Sequence, residues 1–132
     1  MLKIVFTTLG YHYIASTVIP PTAYLFALFL VSDVGRDSKW IQLFIEWFEK
    51  PASCGAMNAT QYNNENGIIT FTNEWEDEDE AIKKGWYFQI EAKTAVKVLR
   101  GWEQVVKDRP ESIEITIDAD DVKVVGIGKR AE

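Results

Sequence analysis

From Ile4 to Ser32 the only side chain able to carry charge is His12, and YLFALFLV (24–31) is strongly hydrophobic. A stretch like this either crosses a membrane or becomes core. A membrane helix needs about 20 consecutive apolar residues, whereas Pro20-Pro21 splits this one in two. A signal peptide would need a basic start, an apolar middle and a small-residue cleavage site. Lys3 and the apolar run fit, but no A-x-A pattern follows. The segment therefore reads as core strands. LKIVFTTL (2–9) and YHYIASTVI (11–19) are rich in β-branched and aromatic residues around Gly10, giving two strands or one long strand bulged at the glycine. Pro20-Pro21 ends that pattern, because neither residue can donate to a ladder. AYLFALFLV (23–31) suits a strand covered on both faces, with a helix as the rival reading because Ala and Leu favour it.

A chain of 132 residues and 15.1 kDa is most simply one domain, 1–132. It should bury about two-thirds of the surface its unfolded form exposes. Cys54 is the one cysteine, so no intrachain disulfide can form, and with His12 as the one histidine a structural zinc site lacks ligands. The net charge of −6 is local: removing the six acids of Glu74–Glu80 from twenty leaves fourteen, matched by fourteen Lys and Arg. That balance argues against nucleic-acid binding through a broad basic surface, because phosphate neutralisation supplies most of such affinity.

DSKWIQLFIEWFEKP is the clearest helix. Asp37 or Ser38 can cap its start. Lys39, Gln42, Glu46, Glu49 and Lys50 share one face, and the aromatic and aliphatic residues cover the rest. So wide an apolar arc should pack against a sheet and at least one more element. GAMNATQY-NNENG-IITFTNEW predicts a hairpin, 56–63 with 67–74, turning where Asn and Gly supply positive φ. GWYFQIEA (85–92) predicts a strand with Trp86 and Phe88 on one side. A second helix, from about Lys93 to Lys107, presents Ala95, Val96, Leu99, Trp102 and Val106 on one face. Gly101 inside it costs about 1 kcal/mol relative to alanine, which close packing against a neighbour would explain. SIEITI (112–117) and VKVVGI (122–127) predict a closing hairpin around DADD. The expected fold class is α+β, a largely antiparallel sheet with two main helices packed against it.

Chemistry-bearing motifs are few. Cys54 and His12 could form a dyad only if the fold brought them together, and PASCGAM carries no mark of an activated thiol. No G-x-S-x-G elbow is present. GIGK (126–129) lacks the P-loop spacing and has no following helix to hold phosphate. Asp118, Asp120 and Asp121 cluster without the alternating ligands, glycine and distal glutamate of a calcium loop. No cofactor, metal site or catalytic residue is expected, although two carboxylates from distant strands could still converge.

The acidic segment stands apart. Glu74, Glu76, Asp77, Glu78, Asp79 and Glu80 are interrupted only by Trp75, and unpaired ions in this number cannot enter a core. The segment is a solubilising loop or an electrostatic docking surface for a basic protein, with Trp75 or Trp86 as aromatic anchor. The order of elements gives a family resemblance. The tryptophan-bearing helix SKWIQLFIEWFEKP, a hairpin, WYFQI running into TAVKVLRGWEQVV, then PESIEITI and a closing strand resemble, over Asp37 to Ile127, the small acidic immunity proteins that bacteria pair with secreted polymorphic toxins. The resemblance implies noncatalytic inhibition of one cognate toxin in the producing cell's cytoplasm, with no binding residues carried over. Two other readings stand beside it. One is a small hydrolase or ligand-binding domain whose pocket is lined by Trp40, Trp47, Trp86 and Trp102. The other is a homo-oligomer joined through apolar surface near YLFALFLV.

Overall fold

A computed structural model describes residues 1–128; Lys129, the last residue of the GIGK motif, lies outside the described residues. In chain order the elements are β1 (Leu2–Leu9), β2 (His12–Ile19), α1 (Tyr24–Leu28), α2 (Ser38–Glu49), β3 (Ala52–Ala56), β4 (Thr60–Glu65) and β5 (Ile68–Asn73). They continue as α3 (Glu78–Lys83), β6 (Phe88–Glu91), α4 (Ala92–Val106), β7 (Ser112–Asp118) and β8 (Asp121–Ile127). The fold is α+β with antiparallel pairing throughout, but the strands divide between two four-stranded sheets, β2-β1-β7-β8 and β3-β4-β5-β6. The division arises because β1 pairs with β7 near the other end of the chain, while the four middle strands pair only among themselves.

The clearest departure from expectation is residues 23–31, which are helical and not a strand. Pro21 opens a single tight turn, α1 follows, and a wider π-helical turn, Phe29–Val34, ends at Gly35 with φ +66°. Ala23, Phe26, Ala27, Phe29 and Leu30 face the core, while Tyr24 is exposed and Leu25, Leu28 and Val31 are partly covered. Phe26 meets Phe71 and Phe88 at centroid separations of 5.6 and 5.8 Å, and Phe29 meets Phe44 and Phe71 at 4.9 and 4.8 Å. Phe26, Ala27, Phe29 and Leu30 are all buried, so these four side chains are core.

The boundaries of the main helices follow local chemistry. The Asp37 carboxylate accepts from the Lys39 N–H at 2.9 Å, capping α2. Ile41, Phe44, Ile45 and Phe48 are buried against α4 and the middle sheet, and the arc is wide enough to leave Trp40 and Trp47 at its margin. On α4 the whole predicted face is buried, and the Trp102 indole N–H donates to the Gly35 carbonyl at 2.8 Å. A Cβ built on Gly101 would lie 2.8 Å from Cγ2 of Val124, so the glycine lets α4 settle on β8.

The middle hairpin is shifted from its predicted register. β4 and β5 are joined by Asn66 and Gly67, with φ of 52° and 82°, the pair of positive angles a two-residue turn needs. The predicted strand 56–63 is broken at Met57–Ala59, where the Met57 N–H donates to the Thr60 carbonyl at 2.9 Å and the chain doubles back. Ala52–Ala56 thereby forms an additional strand at the sheet edge.

Candidate functional site

The acidic segment is not the extended loop its composition implies. Glu78–Lys83 forms a short helix, with the Asp77 carboxylate accepting from the Glu80 N–H at 3.4 Å. Glu78, Asp79 and Glu80 fill its first turn, where the positive end of the helix dipole favours anions. The far end closes through two backbone bonds, Gly85 N–H to Ile82 O at 3.0 Å and Trp86 N–H to Ala81 O at 2.8 Å, with Gly85 at φ +74°. This is the Schellman arrangement, and it satisfies carbonyls that would otherwise be orphaned. Trp86 consequently belongs to the end of α3. The predicted strand 85–92 begins only at Phe88.

The start of this unit is fixed to the body, and its far end is fixed to its start. Gln61 donates through Nε2 to the carbonyls of Asn73 and Glu76 at 3.2 and 2.8 Å, and the Lys84 ammonium meets the Glu76 carboxylate at 2.6 Å. Ala81 is fully buried beneath the helix. The structure thus brings the sequence-predicted residues into one unit packed on β5. Trp75, Asp77, Asp79, Glu80 and Trp86 are exposed, and Glu74, Glu76 and Glu78 are half-buried. The two tryptophans, 86% and 62% exposed, flank the acids on either side.

A second feature takes in two of the four residues expected to line a pocket, Trp40 and Trp47. A cleft of about 900 Å³ lies between β3, the aromatic margin of α2 and the segment 32–37. Trp40, Phe44 and Trp47 form one wall, and every residue of β3 lines the other. Ser53 fixes that strand to the helix by donating to the Trp47 carbonyl at 2.9 Å, and the Tyr62 hydroxyl donates to Ser53 Oγ at 3.3 Å. Burial pushes the Tyr62 phenol above its ordinary range, opposed by the Ser53 bond. At the other end Asp33 accepts from the Ala59 N–H at 2.9 Å and from the Thr60 hydroxyl at 2.6 Å. Burial raises the Asp33 carboxyl, and these bonds pull it back. Besides Trp40 and Trp47, the cleft leaves a trace in the sequence as the run of small residues after Pro51, a poor strand former with no side chain to fill the space beside it.

The remaining candidates are dispersed. Cys54 lies in β3 beside the large cleft, whereas His12 lines a separate cleft of about 340 Å³ with Tyr11, Arg36 and Trp102. The four tryptophans proposed for one pocket do not meet: Trp40 and Trp47 share the large cleft, Trp102 is core, and Trp86 is on the acidic unit. Asp118, Asp120 and Asp121 sit at the β7–β8 turn. No group of three or more His, Cys, Asp or Glu side chains is placed to hold a metal ion among the described residues. Among those residues, no helix is long and apolar enough to cross a membrane. Comparison with protein-family models, with curated proteins and with solved structures found no match.

Proposed function

We propose that this chain is a noncatalytic binding protein, an immunity protein that inhibits a cognate bacterial toxin in the cytoplasm of the producing cell by docking a basic toxin domain on its acidic unit. The observation that carries this reading is α3, with Glu78, Asp79 and Glu80 in its first turn and exposed Trp75 and Trp86 before and after it. Concentrated charge accelerates encounter with a basic partner, and exposed indoles supply the contact area that becomes desolvated on docking. The body beneath is held by Gln61, Lys84 and Ala81, so the surface is preorganised.

The test is to replace Glu76–Glu80 with serine, which keeps a capping side chain at position 77, and to titrate a basic toxin domain at two ionic strengths. Association should slow by about tenfold or more at low salt, with most of the salt sensitivity gone. An unchanged rate and unchanged salt sensitivity would remove this segment as the docking surface. The alternative, a small hydrolase or ligand-binding domain, draws on the large cleft, whose volume matches common ligand sites. It has less support, because the histidine and the cysteine line different clefts.

A further inference from the structure

β3 is an edge strand, paired on one side with β4 and bordered on the other by the large cleft. An edge presents unpaired N–H and C=O groups, and proteins commonly blunt it with charge, proline or a bulge. The strand ASCGA contains no charged residue and no proline, and its pairing with β4 runs without a shift. The edge strand β2, by contrast, carries a register irregularity opposite Val5/Phe6, and β6 and β8 carry Glu91 and Lys123. Beside the unblunted edge lies an aromatic ledge, Trp40 and Trp47, with Trp40 48% exposed.

The charge distribution names the occupant. Past Ala56 the cleft continues along Met57 and Asn58, and the next residue, Ala59, accepts from the Glu74 N–H at 3.3 Å. That end of the cleft therefore lies one backbone hydrogen bond from Glu74, while the cleft's own charges, Asp33 and Asp37 with Arg36 and Lys50, balance. We infer that β3 receives an extended segment of the partner protein as a fifth, antiparallel strand, with apolar side chains on Trp40 and Trp47 and basic residues at its amino-terminal end facing Glu74–Glu80. Antiparallel addition sets that orientation, because β3 runs from Ala52 toward the acids. The inference rests on the docking reading and specifies its partner: a protein with an exposed strand preceded by lysine or arginine.

The probe is a synthetic peptide, a lysine run followed by alternating valine and threonine, labelled at its carboxyl end and titrated with the full chain by fluorescence anisotropy. Two further peptides carry N-methyl groups on alternate amides, in opposite phases. Only one phase faces β3, so one methylated peptide should bind roughly 30-fold more weakly, at about fivefold per neutral hydrogen bond, and the other nearly as well as the parent. Trp40→Ala should weaken the parent peptide, and exchanging its lysines for glutamates should weaken it further. Absence of binding, or equal binding of both methylated phases, overturns strand addition and leaves the salt test of the acidic surface standing. A phase difference with no response to the glutamate exchange supports strand addition and removes the acids from the docking reading.

Discussion

Asp33 shows how one side chain can brace a site at a cost. Its carboxylate holds the backbone N–H of Ala59 and the hydroxyl of fully buried Thr60, which ties the segment 32–37 to the turn before β4. Burial raises its pKa, so the charged form is less favourable in the folded chain than in the unfolded one. Stability from this group is therefore present below the unfolded value of 3.8 and is lost as pH rises through the folded value. Asp33→Asn keeps an acceptor and a donor without the charge, and its stability relative to the parent should improve as pH rises over that interval. Asp33→Ala should cost about 1–3 kcal/mol at neutral pH, because it strands two donors. Urea denaturation of the variants at several pH values checks both.

At the scale of elements, the approach of α4 to β8 is set by the missing Cβ of Gly101. Gly101→Ala forces an overlap with Val124 and should destabilise by about 1–3 kcal/mol, despite a helix-propensity gain of about 1 kcal/mol. In a Val124→Gly background, which removes Cβ and Cγ2 together, the overlap disappears and the same change should become neutral or stabilising, which a double-mutant cycle measures. This contact was legible from the sequence, because a glycine amid good helix formers implies a close neighbour. The capped start of α2 and the Asn66-Gly67 turn were legible for similar local reasons. Residues 23–31 were not, since a short run apolar at nearly every position shows no period to distinguish helix from strand. β3 was hidden because ASCGA has no strand-forming side chains; its strand state comes from pairing with β4. The acidic residues were legible as a surface, whereas the helix they cap depended on noticing Asp77 and Gly85 as its two boundaries.

At the scale of the whole molecule, the two sheets are joined through the helical elements between them, α2 packing on α4. Trp102 packs edge-on to Phe6 of β1 at 5.2 Å and bonds to Gly35, while Phe29 connects α2 to Phe71 of β5. Neither sheet closes a core without the elements between them. Urea unfolding followed by far-ultraviolet circular dichroism and by tryptophan fluorescence should therefore coincide in one transition. Trp102→Ala should lower its midpoint by the equivalent of about 3–5 kcal/mol without splitting it. Separate transitions would mean that the middle meander holds together on its own.

The ladder between β1 and β7 joins Leu2 to Ile117. On the ribosome the first hairpin is made early, and its neighbour emerges only after α4 has been synthesised. Until then Ile4 and Phe6, both fully covered in the finished protein, lack their permanent company. Stalling of translation before β7 should consequently leave a sticky nascent chain, making the closing hairpin the step that protects newly made copies from one another.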